Sequence, residues 1–138
     1  EYIVNICSGV IKNFQDENMI FEFRNNGSIV FESKFRPLEI SIILDNLISN
    51  SKRANAKKIL VDVLQKDEKY LTILFSDDGK GIAKKSFDRI FEVGFTTTSG
   101  SGLGLGQTEK LLRKRRGDIQ LEEQNELQGA AFKLRFSK

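Results

Sequence analysis

The sequence predicts an α+β fold. Three observations carry that reading. Several short segments alternate or run apolar at strand length, turn signals join neighbours into hairpins, and few segments show helical periodicity. The chain shows no repeats and no low-complexity tract.

Taken in order, Tyr2–Phe14 places Ile3, Ile6, Val10 and Phe14 at helical spacing, which predicts a short amphipathic helix. Ile20–Arg24 and Ile29–Phe35 read as strands around the turn signal Asn25-Asn26-Gly27. Pro37 suits the first turn of a helix running to about Arg53, with Ile40, Leu44, Leu47 and Ile48 as its core stripe. Ile59–Gln65 and Tyr70–Asp77 are the strongest strands, joined by the polar turn Lys66–Lys69. Asp78 to Ser101 breaks into glycines, threonines and short apolar pieces, the pattern of a functional loop or lid. Gly106–Arg116 reads as a helix stopped by Gly117. Ile119–Glu123 and Ala131–Phe136 complete the pattern as strands across a turn at Gln128-Gly129.

Residues 1–138 have the length of one domain, and 39% apolar residues suffice for a single core. Charged residues reach 30% without a long single-sign block, which favours a folded, soluble surface over disorder. The net charge of +3 fits an anionic ligand without demanding nucleic acid. Cys7 has no partner for an internal disulfide, so a reducing, cytoplasmic compartment is expected. No run of about 18 apolar residues or signal peptide is present, so no membrane contact by this segment is expected. The opening at Glu1, inside a helical pattern, suggests a piece of a longer protein. The sequence contains no histidine, which removes histidine bases, nucleophiles and metal ligands from this chain. With one cysteine and no GxSxG, hydrolase triads are also set aside.

Three constellations carry chemistry. Asn46, Asn50 and Arg53 stand at i, i+4 and i+7 and share one helix face. They offer oxygens to a hard cation and donors to phosphate, although a solvated face has the same spacing. Asp77-Asp78-Gly79-Lys80-Gly81-Ile82 follows a strand directly, with Asp77 in phase with Leu71, Ile73 and Phe75. A carboxylate on an apolar face is costly without a partner, and a ligand amino group would be one. Asp-Gly is also an ordinary turn pair. Gly100-Ser101-Gly102-Leu103-Gly104-Leu105 leads into a helix, where free N–H groups and the helix dipole favour phosphate. It is neither a dinucleotide fingerprint nor a GxxxxGK[ST] loop.

In this order the three resemble the ATP-binding domain shared by sensor histidine kinases, DNA gyrase, mismatch-repair ATPases and a heat-shock chaperone. Asn46-Leu47-Ile48-Ser49-Asn50 resembles the N box, and Asp77-x-Gly79-x-Gly81 the first glycine box. Ile90-Phe91-Glu92 with Phe95-Thr96-Thr97 resembles the F box and the start of the ATP lid. Gly100-x-Gly102-x-Gly104-Leu105 resembles the second glycine box. The resemblance spans about Ile29 to Phe136 and implies a two-layer sandwich of a mixed, mostly antiparallel sheet against helices. It implies that Asp77 accepts from the adenine amino group, Gly79 and Gly81-Ile82 line the base, and Phe91 belongs to the site. It further implies that Asn50 ligates Mg2+ with Asn46 assisting, and that Arg53 reaches the phosphates. Thr96 and Thr97, with the amides of Ser101, Gly102, Leu103, Gly104 and Leu105, would close over the triphosphate of ATP.

The hydrolysing branches carry a glutamate four residues before the magnesium asparagine. Here that position is Asn46, and Asp45 lies about 100° around the helix. The resemblance therefore points to a histidine kinase catalytic domain. Its phosphoacceptor histidine would sit on a separate dimerisation helix, with a response regulator downstream. An ATP-hydrolysing switch and a degenerate nucleotide sensor are the alternatives. Two departures from the family stand out: Thr98 where many relatives carry lysine, and Ala130-Ala131 where many carry an adenine-site threonine. Lys110, Arg113, Lys114, Arg115 and Arg116 make the last helix basic, which suits a solvated face or an acidic partner rather than nucleic acid.

Overall fold

The computed structural model describes residues 20–25, 37–64, 69–83, 89–91, 104–122 and 127–137. Its elements are β1 (Ile20–Asn25), α1 (Pro37–Arg53), β2 (Lys58–Leu64), β3 (Tyr70–Asp77), α2 (Gly104–Lys114), β4 (Asp118–Glu122) and β5 (Ala131–Ser137). The strands form a five-stranded sheet in the order β1-β2-β3-β5-β4. β2–β3, β3–β5 and β4–β5 are antiparallel, whereas β1 pairs with β2 in parallel, Ile20 opposite Lys58 and Arg24 opposite Asp62. The sheet is thus mixed and mostly antiparallel, packed against helices as an α+β sandwich.

The parallel β1–β2 pair and the antiparallel β3–β5 pair are described features of the sheet that hairpin signals did not suggest. Parallel neighbours need a long crossover, and α1 lies in the connection between β1 and β2. The expected strand 29–35, the helix 2–14 and most of the lid fall outside the described residues.

Register builds the core in rows. Val63, Ile73, Leu134 and Ile119 are partners across β2, β3, β5 and β4, and Val61, Phe75 and Phe132 form the next row. All are buried, and α1 covers them with Ile40, Ile43, Leu44, Leu47 and Ile48. Those α1 positions recur at helical spacing, so one face of the helix is committed to the sheet. α2 contributes Leu112 to the same cluster.

Both helices end in the same way. Beyond α1, Ala56 N–H donates to Ser51 O and Asn55 N–H to Lys52 O, with Asn55 left-handed at φ 61°. Beyond α2, Gly117 N–H donates to Leu112 O and Arg116 N–H to Arg113 O, with Arg116 at φ 62°. These paired bonds satisfy the last carbonyls in the Schellman arrangement. The sequence reading put the stop on Gly117, but the left-handed residue is Arg116. Gly117 is needed for room, because a Cβ there would run into the carbonyl oxygen of Arg135.

The two helices are also tied to each other. Glu39, in the first turn of α1, accepts from Arg115 Nε at 3.2 Å and lies 3.5 Å from Lys114 Nζ. Each charge also complements its own helix dipole, acid at a start and base at an end.

Candidate functional site

β3 ends on Asp77, whose residue is only 3% exposed. Its carboxylate is fully engaged by the protein on one oxygen: Oδ1 accepts from Gly79 N–H at 2.9 Å and from Ala130 N–H at 3.2 Å. Oδ2 accepts from the Ser51 hydroxyl at 2.7 Å. The sequence reading looked to a ligand to offset the burial of this carboxylate. Three donors of the chain itself supply most of that compensation, from α1, the turn after β3 and the residue just before β5. With two lone-pair directions per oxygen, the described donors leave one acceptor position, on Oδ2.

The glycines after β3 let chain segments close in. A Cβ on Gly79 would lie 2.8 Å from Ala54 O and 2.9 Å from Ala54 Cβ, so the turn packs directly on the end of α1. Lys80 N–H donates to the same Ala54 O at 3.1 Å. Gly81 has φ +76°, a conformation that strains other residues. Ile82 is half-buried against the core. Asp78 points away from Asp77 and closes the start of β2, accepting from Lys57 N–H at 2.8 Å and Lys58 N–H at 2.9 Å. Those backbone donors, Lys58 first, hold its carboxyl below the ordinary value against a smaller effect of desolvation.

The exposed side of α1 carries the second part. Asn46 Nδ2 donates to Gln107 Oε1 at 3.2 Å and to Thr108 Oγ1 at 3.3 Å, both on α2. A Cβ on Gly104 would sit 3.6 Å from Asn46 Cβ. The N-terminus of α2, the end of the glycine-rich motif, is therefore seated on the asparagine motif of α1. Arg53 donates to Asn50 Oδ1, so those two share one end of the helix. Asp45 is exposed.

α1 is thus the element that joins the motifs: its middle holds the start of α2, and its end holds Asp77 and the turn behind it. Asn46, Asn50, Arg53, Asp77, Gly79, Gly81, Gly104 and Leu105 lie on this helix or on the two segments seated against it. Phe91 packs edge-on against Phe132, ring centroids 6.5 Å apart at 71°, beside buried Ile90. Thr96, Thr97, Ser101, Gly102 and Leu103 lie outside the described residues. Sequence reasoning missed Ser51 and Gly129. A signal for Ser51 existed, since it continues the stripe of Leu44, Leu47 and Ile48 at i+7, yet is polar and 1% exposed.

Residues 36–138 match the family described as histidine kinase-, DNA gyrase B- and HSP90-like ATPases. The chain belongs to that family. Within it, several curated relatives are named as sensor histidine kinases, and the chain is a catalytic ATP-binding domain of that type. Sensor histidine kinase RcsC of Escherichia coli strain K12 is 32% identical over 107 residues, covering 72% of this chain and 11% of RcsC. Sporulation kinase A of Bacillus subtilis is 32% identical over 102 residues, covering 72% of this chain and 17% of that kinase. The chain therefore spans a small fraction of the relatives it matches. Among solved structures, that of the mycobacterial sensor histidine kinase MprB superposes with a TM-score of 0.79 at 17% identity, covering 98% of this chain and 93% of the solved chain. The nucleotide-free catalytic domain of histidine kinase ThkA gives 0.77 at 22% identity, covering 99% and 91%. At these identities the structural likenesses establish the fold.

Magnesium is the usual companion of nucleotide in such domains. The donors present fit it: Asn50 has a neutral amide oxygen, which here accepts from Arg53, and magnesium takes few protein ligands while keeping water and phosphate oxygens. Among the described residues no group of three His, Cys, Asp or Glu side chains could hold a metal. The residues that would hold the ion by the family resemblance are Asn50 and, beside it, Asn46.

Proposed function

We propose that this domain binds Mg-ATP and passes the γ-phosphoryl group to a histidine on a separate helical segment. One observation carries the reading: Asp77, buried at the end of β3 beside the glycine turn, is held by three donors among the described residues, which leave one acceptor position on Oδ2. An adenine amino group donates there, whereas guanine would present a carbonyl to a carboxylate. Arg53 supplies a cationic group and α2 supplies an N-terminus for the phosphates. Bound magnesium would neutralise phosphate charge.

Transfer rather than hydrolysis is favoured by Asn46. An amide has no basicity with which to activate water, and its nitrogen is committed to α2. An imidazole nitrogen is nucleophilic without such help. It forms the bond to the γ-phosphorus as the bond to the bridging oxygen breaks and ADP leaves. This chain has no histidine, so the acceptor comes from another segment, with a response regulator receiving the group afterwards. We place this activity in the cytoplasm, whatever anchors the whole protein.

The test is phosphoryl transfer in trans. The chain, labelled ATP and the histidine-bearing segment of the native protein should give an acid-labile, base-stable label on that segment. The chain itself should stay unlabelled, and replacing the segment's histidine should abolish the label. Rapid phosphate release without any acceptor would put an ATP-hydrolysing switch in its place.

A further inference from the structure

We infer that Ser51 is a positioning residue for base selection: it aims the one free acceptor position of Asp77 at the 6-amino group of the purine. The inference rests on the nucleotide reading above and deepens it.

The argument starts from what Ser51 gives up. Serine inside a helix commonly turns its hydroxyl back to the carbonyl four residues earlier. Ser51 instead spans to another element, and its hydroxyl donates to Asp77 Oδ2 at 2.7 Å. The position is 1% exposed and continues an apolar stripe, where alanine would pack without any polar requirement. Its backbone is equally committed, since Ser51 O accepts from Ala56 N–H at 3.0 Å in the helix cap. The hydroxyl is therefore delivered from a rigid point.

The two oxygens of Asp77 are not equivalent. Oδ1 is saturated by the Gly79 and Ala130 N–H groups. Among the described residues Oδ2 has a single donor, Ser51, which leaves it one lone pair. Without that donor, Oδ2 has two open directions and nothing that selects between them. The carboxylate would then accept a water or a displaced donor as readily as the base. Ser51 thus acts through Asp77 and is specific to the amino group. A loss there should weaken ligands that carry a 6-amino group and spare those that lack one.

The experiment compares ATP with purine riboside triphosphate, which is ATP without the 6-amino group, by calorimetric titration of this chain. The wild type should bind ATP more tightly. Ser51→Ala should lose about tenfold in ATP affinity and under about twofold for the analogue, collapsing the preference. Ser51→Cys, a weak donor of similar size, should fall between and serves if the alanine variant does not fold. Equal weakening of both nucleotides, or an unchanged preference, overturns the role of Ser51 while leaving the site. A wild type that binds both nucleotides equally overturns the adenine reading of Asp77 and this inference with it.

Discussion

Gly129 lies directly on the carboxylate of Asp77: a Cβ at residue 129 would stand 2.5 Å from Asp77 Oδ1 and would run into its carbonyl oxygen. The same atom would be 2.7 Å from Gly79 N. Gly129 N–H donates to Asp77 O at 3.0 Å, and Asp77 N–H returns a bond to Ala130 O at 2.9 Å. The obstructing atoms are backbone or a fixed carboxylate, so the β5 entry must shift to admit a methyl group. Gly129→Ala should therefore cost about 1–3 kcal/mol of stability, the usual penalty of overpacking. It should also weaken ATP at least tenfold, because Ala130 N–H leaves Oδ1. Urea unfolding and nucleotide titration read the two effects, and a variant with wild-type values in both would contradict the close approach.

Asp77→Asn separates folding from recognition. The amide oxygen can take the place of Oδ1 before the Gly79 and Ala130 N–H groups. The amide nitrogen then faces Ser51, whose hydroxyl can turn and accept. The fold keeps its bonds, but a donor now faces the adenine amino group. ATP affinity should fall by about ten- to a hundredfold, or 1–3 kcal/mol. The unfolding midpoint should move little. Undiminished ATP binding by the folded variant would remove Asp77 from the site.

Much of this arrangement could be read along the chain, because it depends on short-range periodicity. Alternation placed Asp77 on the buried face, and helical spacing placed Asn46, Asn50 and Arg53 together. What could not be read depends on contacts between distant segments. Ser51 meets Asp77 only once α1 lies across the sheet, and Gly129 meets it only once β5 pairs with β3. The parallel β1–β2 pair is likewise a product of the crossover through α1, which no turn signal announces. Gly117 was legible as the stop of the last helix, and its N–H does close the cap on Leu112 O. What the sequence did not show is that Arg116 takes the left-handed position and that the space beside Arg135 is what requires the glycine.

Two carboxylates should contribute to the acid sensitivity of the fold. Backbone N–H groups of Lys58 and then Lys57 lower the Asp78 carboxyl from its ordinary 3.8. The Arg115 hydrogen bond, outweighing desolvation, lowers Glu39 from 4.5, with Lys114 adding to it. A depressed folded value stabilises the native state above the unfolded value, and the contribution is lost as pH falls through the folded value. Stability should thus decline below about pH 4.5 and keep declining through pH 3. Asp78→Asn and Glu39→Gln should each lower stability at neutral pH and flatten that decline. Urea midpoints between pH 7 and pH 3 check it; parallel curves for wild type and variants would exclude both groups.

Asn46 supplies the last prediction, which turns on the direction of its hydrogen bonds. Its nitrogen donates to Thr108 Oγ1 at 3.3 Å, while the Thr108 hydroxyl donates its own proton to Gly104 O at 2.9 Å. Thr108 is fully buried, so its oxygen cannot turn to solvent. Asn46→Asp places an acceptor where the donor was, opposite an oxygen with no proton to spare. Gln107 can reverse its exposed amide, but Thr108 can answer only by abandoning Gly104 O at the start of α2. Asn46→Ala deletes the bond and leaves the Thr108–Gly104 bond intact. The near-isosteric aspartate should therefore be the more damaging change, by about 1–3 kcal/mol against about 1 kcal/mol or less for alanine. The aspartate should also weaken ATP further, through charge added near the phosphates. Urea unfolding without nucleotide gives the order. If alanine proves the worse of the two, the donor role of Asn46 at the seat of α2 is wrong.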